Sequence, residues 1–126
     1  MSWFESYHPL SDHMRWIDDL QAAYPDNSAV IVSGDSTEGR PIKGLHIFGD
    51  DGPGNRPAIV WHGTIHAREW ITTMVVEYMT WSLLSNYTTD PDIKSYIDSY
   101  DHYIFPVANP DGEFTGYSQK LYTQAV

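Results

Sequence analysis

The sequence predicts an α/β fold, a mixed β-sheet flanked by helices, and three observations carry that prediction. Segments of β-type patterning alternate along the chain with segments of helical period. One of the β-type runs, Ala58-Ile59-Val60-Trp61, is continuously apolar, as strands buried on both faces are. That run breaks at a small-residue turn and passes into a helix rather than into a hairpin. The 126 residues, 41% of them hydrophobic, suffice for one domain that buries roughly two thirds of its unfolded surface. No linker-like tract, internal repeat or low-complexity run divides it.

Taken in order, the elements are these. Ser11 is placed to N-cap a helix that runs to about Ala23, with Met14, Ile17 and Leu20 on one stripe and Pro25 ending it. Ala29 to Ser33 reads as a strand, Gly34 to Pro41 as a polar connection, and Ile42 to Phe48 as a second strand with β-type alternation. Gly49-Asp50-Asp51-Gly52-Pro53-Gly54-Asn55 is a loop, which puts a third strand at Pro57 to Trp61 and lets strands two and three pair as a hairpin. In the next helix Trp70, Ile71, Met74, Val75, Tyr78 and Met79 recur at helical spacing and are expected to form its core face. Asp90 then caps a short helix with Pro91 at its first position and Ile93, Tyr96, Ile97 and Tyr100 as its apolar face. A fourth strand follows through Val107.

The chemistry concentrates after the third strand, in Trp61-His62-Gly63-Thr64-Ile65-His66-Ala67-Arg68-Glu69-Trp70. Side chains three apart on a helix's first turn lie within roughly 5 Å, so His66 and Glu69 can converge on one ion. Imidazole nitrogen and carboxylate oxygen are both zinc donors, and hydrolytic zinc sites use three protein ligands, a His2Glu set among them, with one position left for water. The crevice beyond the carboxyl ends of strands is also where open α/β sheets place ligands. The spacing by itself equally describes a solvated pair, or an acid meeting the positive end of a helix dipole for ~0.3 to 1 kcal/mol. His62 stands four before His66, but Gly63 occupies the place that an H-E-x-x-H motif gives to Glu, so His62 reads as a structural or supporting residue. His8, His13, His46 and His102 are expected to be structural or surface residues, His102 as an edge residue or a core imidazole with a hydrogen-bond partner.

The stretch His66-Ala67-Arg68-Glu69-Trp70-Ile71 resembles the zinc-ligand segment of zinc metallocarboxypeptidases of the carboxypeptidase A/B type. Three further segments fall in that family's order. Trp3-Phe4-Glu5-Ser6-Tyr7-His8 is similar to the start of the mature catalytic domain, Glu38-Gly39-Arg40-Pro41-Ile42 to the turn before its second strand, and Asn109-Pro110-Asp111-Gly112 to the loop after its fourth. The resemblance covers nearly the whole chain but about the first third of a family domain. Residues 1–126 are therefore expected to be a single partial domain, the N-terminal portion of a peptidase catalytic domain. The resemblance implies that His66 and Glu69 are the first two zinc ligands and that Arg68 lines a substrate subsite. It further implies release of C-terminal amino acids from peptides and proteins, a zinc cofactor, and secretion. The family's third ligand, its carboxylate-binding arginines and asparagine, its tyrosine and its general base have no counterpart here. The tail Lys120 to Val126 follows the family's next segment faintly and lacks the expected arginine. No catalytic base is assigned, and the polypeptide by itself is expected to be inactive. The alternative reading is a pseudopeptidase or truncated chain with a structural or interaction role.

Composition narrows the partners. With 17 acidic and 7 basic residues the formal charge is −10, which repels phosphate backbones and disfavours nucleic acid. No stretch approaches the ~20 apolar residues of a membrane span, and the N-terminus lacks the layout of a signal peptide. The chain contains no cysteine, hence no disulfide framework. Asn86-Tyr87-Thr88 fits the N-glycosylation pattern. Specificity and oligomeric state are not legible.

Overall fold

The computed structural model describes residues 2–54 and 56–115. After a 3-10 turn over Ser2–Glu5 come α1 (Leu10–Ala23), β1 (Ser28–Asp35), β2 (Pro41–Ile47), β3 (Ala58–His62), α2 (Trp70–Asn86), α3 (Pro91–Ser99) and β4 (Asp101–Phe105). The four strands form one sheet in the order β1-β2-β4-β3. β1 pairs antiparallel with β2, β2 antiparallel with β4, and β4 parallel with β3. The sheet is thus mixed, as expected.

The hairpin lies elsewhere than expected. β2 folds back on β1, not on β3, and β4 inserts between β2 and β3. Gly44 permits the insertion: a Cβ there would collide with the Ile104 carbonyl and stand 2.7 Å from the Phe105 ring. A strand glycine marks such a close approach. The link from β3 to its parallel neighbour β4 runs through α2 and α3, the long crossover that parallel strands require.

The register Leu45↔Ile104 and Ile47↔His102 puts Leu45, Ile47, His102 and Ile104 on one face of the sheet. Against that face pack Ile17 and Leu20 of α1, Val76 and Leu84 of α2, Tyr87, and Ile97 of α3, all in one buried cluster. At roughly 25 cal/mol per Å² of apolar surface removed from water, this cluster is the main force holding helices to sheet. On the other face His46 stacks on Tyr103 with ring centroids 4.2 Å apart, and its Nε2 lies 2.8 Å from Asp101 Oδ1.

Four local expectations are corrected. The residue capping α1 is Pro9, whose carbonyl accepts from the Asp12 and His13 amides, and Ser11 sits inside the first turn. Among the described residues β3 lies at the edge of the sheet, and Val60 is 61% exposed rather than buried. On α2, Trp70 and Met74 are buried, but Ile71, Val75 and Tyr78 face outward and the sheet side carries Thr73, Val76, Glu77, Thr80 and Leu84. The physical reason is that the polar groups of that side all find partners. Thr73 Oγ1 donates to the Pro106 carbonyl at 2.8 Å, Thr80 Oγ1 to the Val76 carbonyl at 2.6 Å, and Glu77 meets His13 at 2.6 Å and the Trp3 indole at 2.9 Å. Hydrogen bonds offset much of the cost of burying a threonine, as pairing with His13 does for Glu77, so hydrophobic period alone chose the wrong side. On α3, Ile97 is fully buried and Ile93 packs at the core's margin, whereas Tyr96 and Tyr100 are exposed. Its cap is as expected: Asp90 accepts from the Asp92 and Ile93 amides, with Pro91 at the first position.

Candidate metal centre

The centre is built where β3 ends. Gly63 donates to the Phe105 carbonyl at 3.0 Å and accepts from the Ala108 amide at 2.9 Å, so the backbone keeps company with β4 past the last strand residue. Only glycine fits there, because a Cβ would stand 2.7 Å from the Pro106 carbonyl oxygen and 2.8 Å from that of Thr72.

Thr64 then adopts φ 45°, the left-handed region that β-branched residues avoid. Its neighbours hold it there. Its amide donates to Thr72 Oγ1 at 2.7 Å, its carbonyl accepts from the Asn109 amide at 3.0 Å, and its hydroxyl lies 2.5 Å from that of Thr73. Thr72 Oγ1 also donates to the Glu69 carbonyl at 2.6 Å. Three threonines from the loop and the first turn of α2 thereby clamp the chain reversal that a left-handed residue permits.

The clamp presents the two ligand candidates. The Glu69 amide donates to the His66 carbonyl at 3.1 Å, closing the turn, and the Trp70 indole donates to the Ala67 carbonyl at 2.9 Å. His66 Nδ1 and Glu69 Oε1 come to 3.2 Å of each other. Both side chains are open, 73% and 49% exposed. The contact is a hydrogen bond between the two side chains, and its length is also close to the ~3.4 Å that separates two ligand atoms about 2.1 Å from one ion at a tetrahedral angle, so the pair fits a shared zinc. Among the described residues, no group of three or more His, Cys, Asp or Glu side chains is placed to hold an ion. Arg68 is exposed beside the pair and makes no ion pair among the described residues.

The remaining histidines lie elsewhere. His62 is exposed at the end of β3. His102 is 2% exposed in the central strand, its Nδ1 accepting from the Trp61 indole and its Nε2 directed at the Tyr96 carbonyl, both at 3.2 Å. Burial holds this imidazole below the ordinary histidine range. It is a core imidazole with partners. His13 is buried between Glu77 and Glu113, and His8 stacks on Trp3 at 3.5 Å.

Sequence reasoning passed over Asn109, whose carboxamide donates to the Ile65 carbonyl at 3.0 Å and accepts from the Gly112 amide at 2.9 Å. It stood in a segment noted for resemblance, without a role. The same segment ties the site to the β1–β2 turn. Asp111 accepts from Ser36 Oγ at 2.6 Å, Arg40 Nη1 at 2.9 Å and the Glu38 amide at 3.1 Å, and these donors hold its carboxyl below the usual carboxylate range. The expectation about residues 120–126 lies outside the described residues.

The histidine and the glutamate thus stand together at a strand's carboxyl end in a mixed α/β domain, the place where open α/β sheets bind ligands. The sequence model of the zinc carboxypeptidase family matches residues 13–124, and the chain belongs to that family. Metallocarboxypeptidase A of Trichophyton rubrum is 51% identical over 123 residues, 97% of this chain and 29% of that protein. Among solved structures, thrombin-activatable fibrinolysis inhibitor superposes with a TM-score of 0.81 at 30% identity, over 90% of this chain and 28% of that one. Carboxypeptidase A from Helicoverpa armigera gives 0.76, also at 30% identity, over 89% and 26%. The chain therefore spans less than a third of the length of each of these three relatives.

Proposed function

We propose that this chain is the N-terminal portion of the catalytic domain of a zinc-dependent carboxypeptidase, in which His66 and Glu69 are two of the zinc ligands and Arg68 contacts the substrate. The observation that carries the reading is the 3.2 Å approach of His66 Nδ1 to Glu69 Oε1 at the end of β3, in a chain of the zinc carboxypeptidase family. His66 and Glu69 would be two of the residues holding a zinc ion, which when bound would supply Lewis acidity toward a scissile carbonyl and a water of lowered pKa. The chain's own residues do the positioning. The threonine clamp fixes the loop, the closed turn at His66 and Glu69 keeps both donors on one side, and the exposed Arg68 guanidinium offers charge to a peptide lying across the crevice. Peptides and proteins with a free C-terminal carboxylate are the proposed substrates. Extracellular release is the proposed location, supported by the family's habit and the Asn86-Tyr87-Thr88 acceptor pattern. Among the described residues no helix is long and apolar enough to cross a membrane.

The test is hydrolysis of a free-carboxylate peptide by the full-length protein. Cleavage is expected to stop on adding a chelator and to return with zinc, and His66→Ala and Glu69→Gln are each expected to lose both bound zinc and turnover. Chelator-insensitive cleavage, or variants with the parent's zinc content, would overturn the assignment.

One observation favours a second reading for the 126-residue polypeptide taken alone, a non-catalytic chain with a structural or interaction role. Among the described residues the site has two donors rather than the three of hydrolytic zinc centres. Zinc analysis and turnover of the isolated polypeptide separate the cases, since one tightly held zinc with measurable cleavage excludes this second reading.

A further inference from the structure

We propose that Asn109 is a positioning residue for the metal-ligand loop, its carboxamide fixing the point from which His66 projects. The inference rests on the metal-site reading given above and assigns a role to a residue whose carboxamide is engaged by the backbone of Ile65 and Gly112.

A ladder of backbone hydrogen bonds extends beyond β3. Gly63 donates to Phe105, Ala108 donates to Gly63, and the Asn109 amide donates to Thr64, so pairing with the β4 side continues residue by residue into the loop. The next carbonyl is that of Ile65, immediately before His66. The next residue on the opposite side is Pro110, which has no N–H to offer. The Asn109 side chain supplies the missing rung instead, with Nδ2 3.0 Å from the Ile65 oxygen.

The same carboxamide is held at its other end. Asn109 precedes a helical segment at 110–115, Pro110 occupies the first helical position, and Oδ1 accepts from the Gly112 amide, which is the N-cap arrangement. With donor and acceptor both engaged, the side chain has one orientation. Gly112 leaves room for it: a Cβ there would stand 2.9 Å from Asn109 Cγ and 3.0 Å from the Ala67 Cβ of the ligand loop. Asp111, in contrast, points to Ser36 and Arg40 and braces the β1–β2 turn. The four residues Asn109-Pro110-Asp111-Gly112 therefore divide into an arm that holds the metal loop and an arm that does not.

Asn109→Asp isolates the first arm. Aspartate keeps the N-cap acceptor, so the helical segment survives, and loses the donor to Ile65. Its added negative charge would by Coulomb attraction strengthen binding of a nearby cation, so weakened binding cannot be electrostatic in origin. In the full-length protein, zinc affinity by chelator competition is expected to fall about 10- to 100-fold, the usual effect of losing a residue that orients a ligand. The visible spectrum of the cobalt(II) form is expected to shift with it. Gly112→Ala, which crowds the carboxamide, is expected to act in the same direction. Asp111→Asn is expected to lower thermal stability with zinc affinity unchanged.

A second readout needs no metal. Amide hydrogen exchange at Glu69, whose N–H bonds the His66 carbonyl, is expected to quicken in metal-free Asn109→Asp and not in Asp111→Asn. Parental zinc affinity, cobalt spectrum and exchange in Asn109→Asp would overturn the proposal. Equal loss of affinity in Asp111→Asn would also overturn it, by showing that any damage to this segment has the same effect. If the parent protein and His66→Ala bind zinc alike, the metal assignment is what fails, and the exchange comparison alone then decides the role of Asn109.

Discussion

Thr64 is a β-branched residue at φ 45°, a conformation that costs energy and that the surrounding hydroxyls make tolerable. The dependence can be tested at Thr73, whose hydroxyl lies 2.5 Å from that of Thr64 and donates to the Pro106 carbonyl. Thr73→Val preserves shape and removes the hydroxyl, leaving a buried acceptor without its donor. Urea denaturation is expected to show a loss of about 1 to 3 kcal/mol, and an unchanged midpoint would remove Thr73 from the clamp. His66, Arg68 and Glu69 were legible in the sequence because residue type and spacing announce their chemistry. Thr64, Thr72 and Thr73 were not, because a threonine's hydroxyl acquires meaning only when folding brings it to a partner.

Between β3 and α2 the controlling residue is Gly63, pinned between the end of β4 and the first turn of α2. Its missing Cβ would meet two backbone carbonyls, which cannot rotate away as a side chain could. Gly63→Ala is expected to destabilise by about 1 to 3 kcal/mol, as overpacking does, and to displace the ligand loop. Its effect should exceed that of alanine at Gly52, where a Cβ meets nothing within 4 Å and the cost comes from a positive φ of 85° instead. Comparing chemical-denaturation midpoints of the two variants checks the order, and a loss at Gly63 no larger than that at Gly52 would show that crowding does not control Gly63. At this scale the sequence yielded the kinds and approximate bounds of the elements, because capping and period are local. It misassigned the exposed side of α2, because Glu77 and Thr73 become core residues only through His13, Trp3 and Pro106, distant in the chain.

For the molecule as a whole, stability should fall on acidification in two stages. His102 is held neutral by burial and by the Trp61 indole, which would face a second N–H if Nδ1 took a proton. The unfolded chain binds that proton below about pH 6.5. This contribution is therefore complete above that pH and is lost as pH falls toward the lower folded value. Three carboxylates follow. Asp98 is held low by the Tyr87 hydroxyl and by Lys94, and Asp111 by Ser36, Arg40 and the Glu38 amide. Burial pushes Asp101 up, but His46 and the Gly54 and Arg56 amides outweigh it, and its carboxyl also lies below the usual range. Their stabilisation is present above about pH 4 and is lost as pH drops through the folded values. Denaturation midpoints from pH 8 to pH 3 are expected to hold level to about pH 6.5, decline, and then fall more steeply below about pH 4. His102→Gln should abolish the first decline, and a midpoint constant from pH 7 to pH 5 in the parent would contradict the account.

The sequence by itself determined the α/β class, the four strands and three helices, the cap at Asp90 and the pairing of His66 with Glu69. Each of these depends on residues within a few positions of one another, where spacing maps directly onto geometry. Only the tertiary structure decided that β4 separates β2 from β3, that polar residues fill the buried side of α2 and that Asn109 reaches Ile65. Those features depend on groups far apart in sequence, and no local pattern records which distant partner will satisfy a given donor or occupy the neighbouring strand.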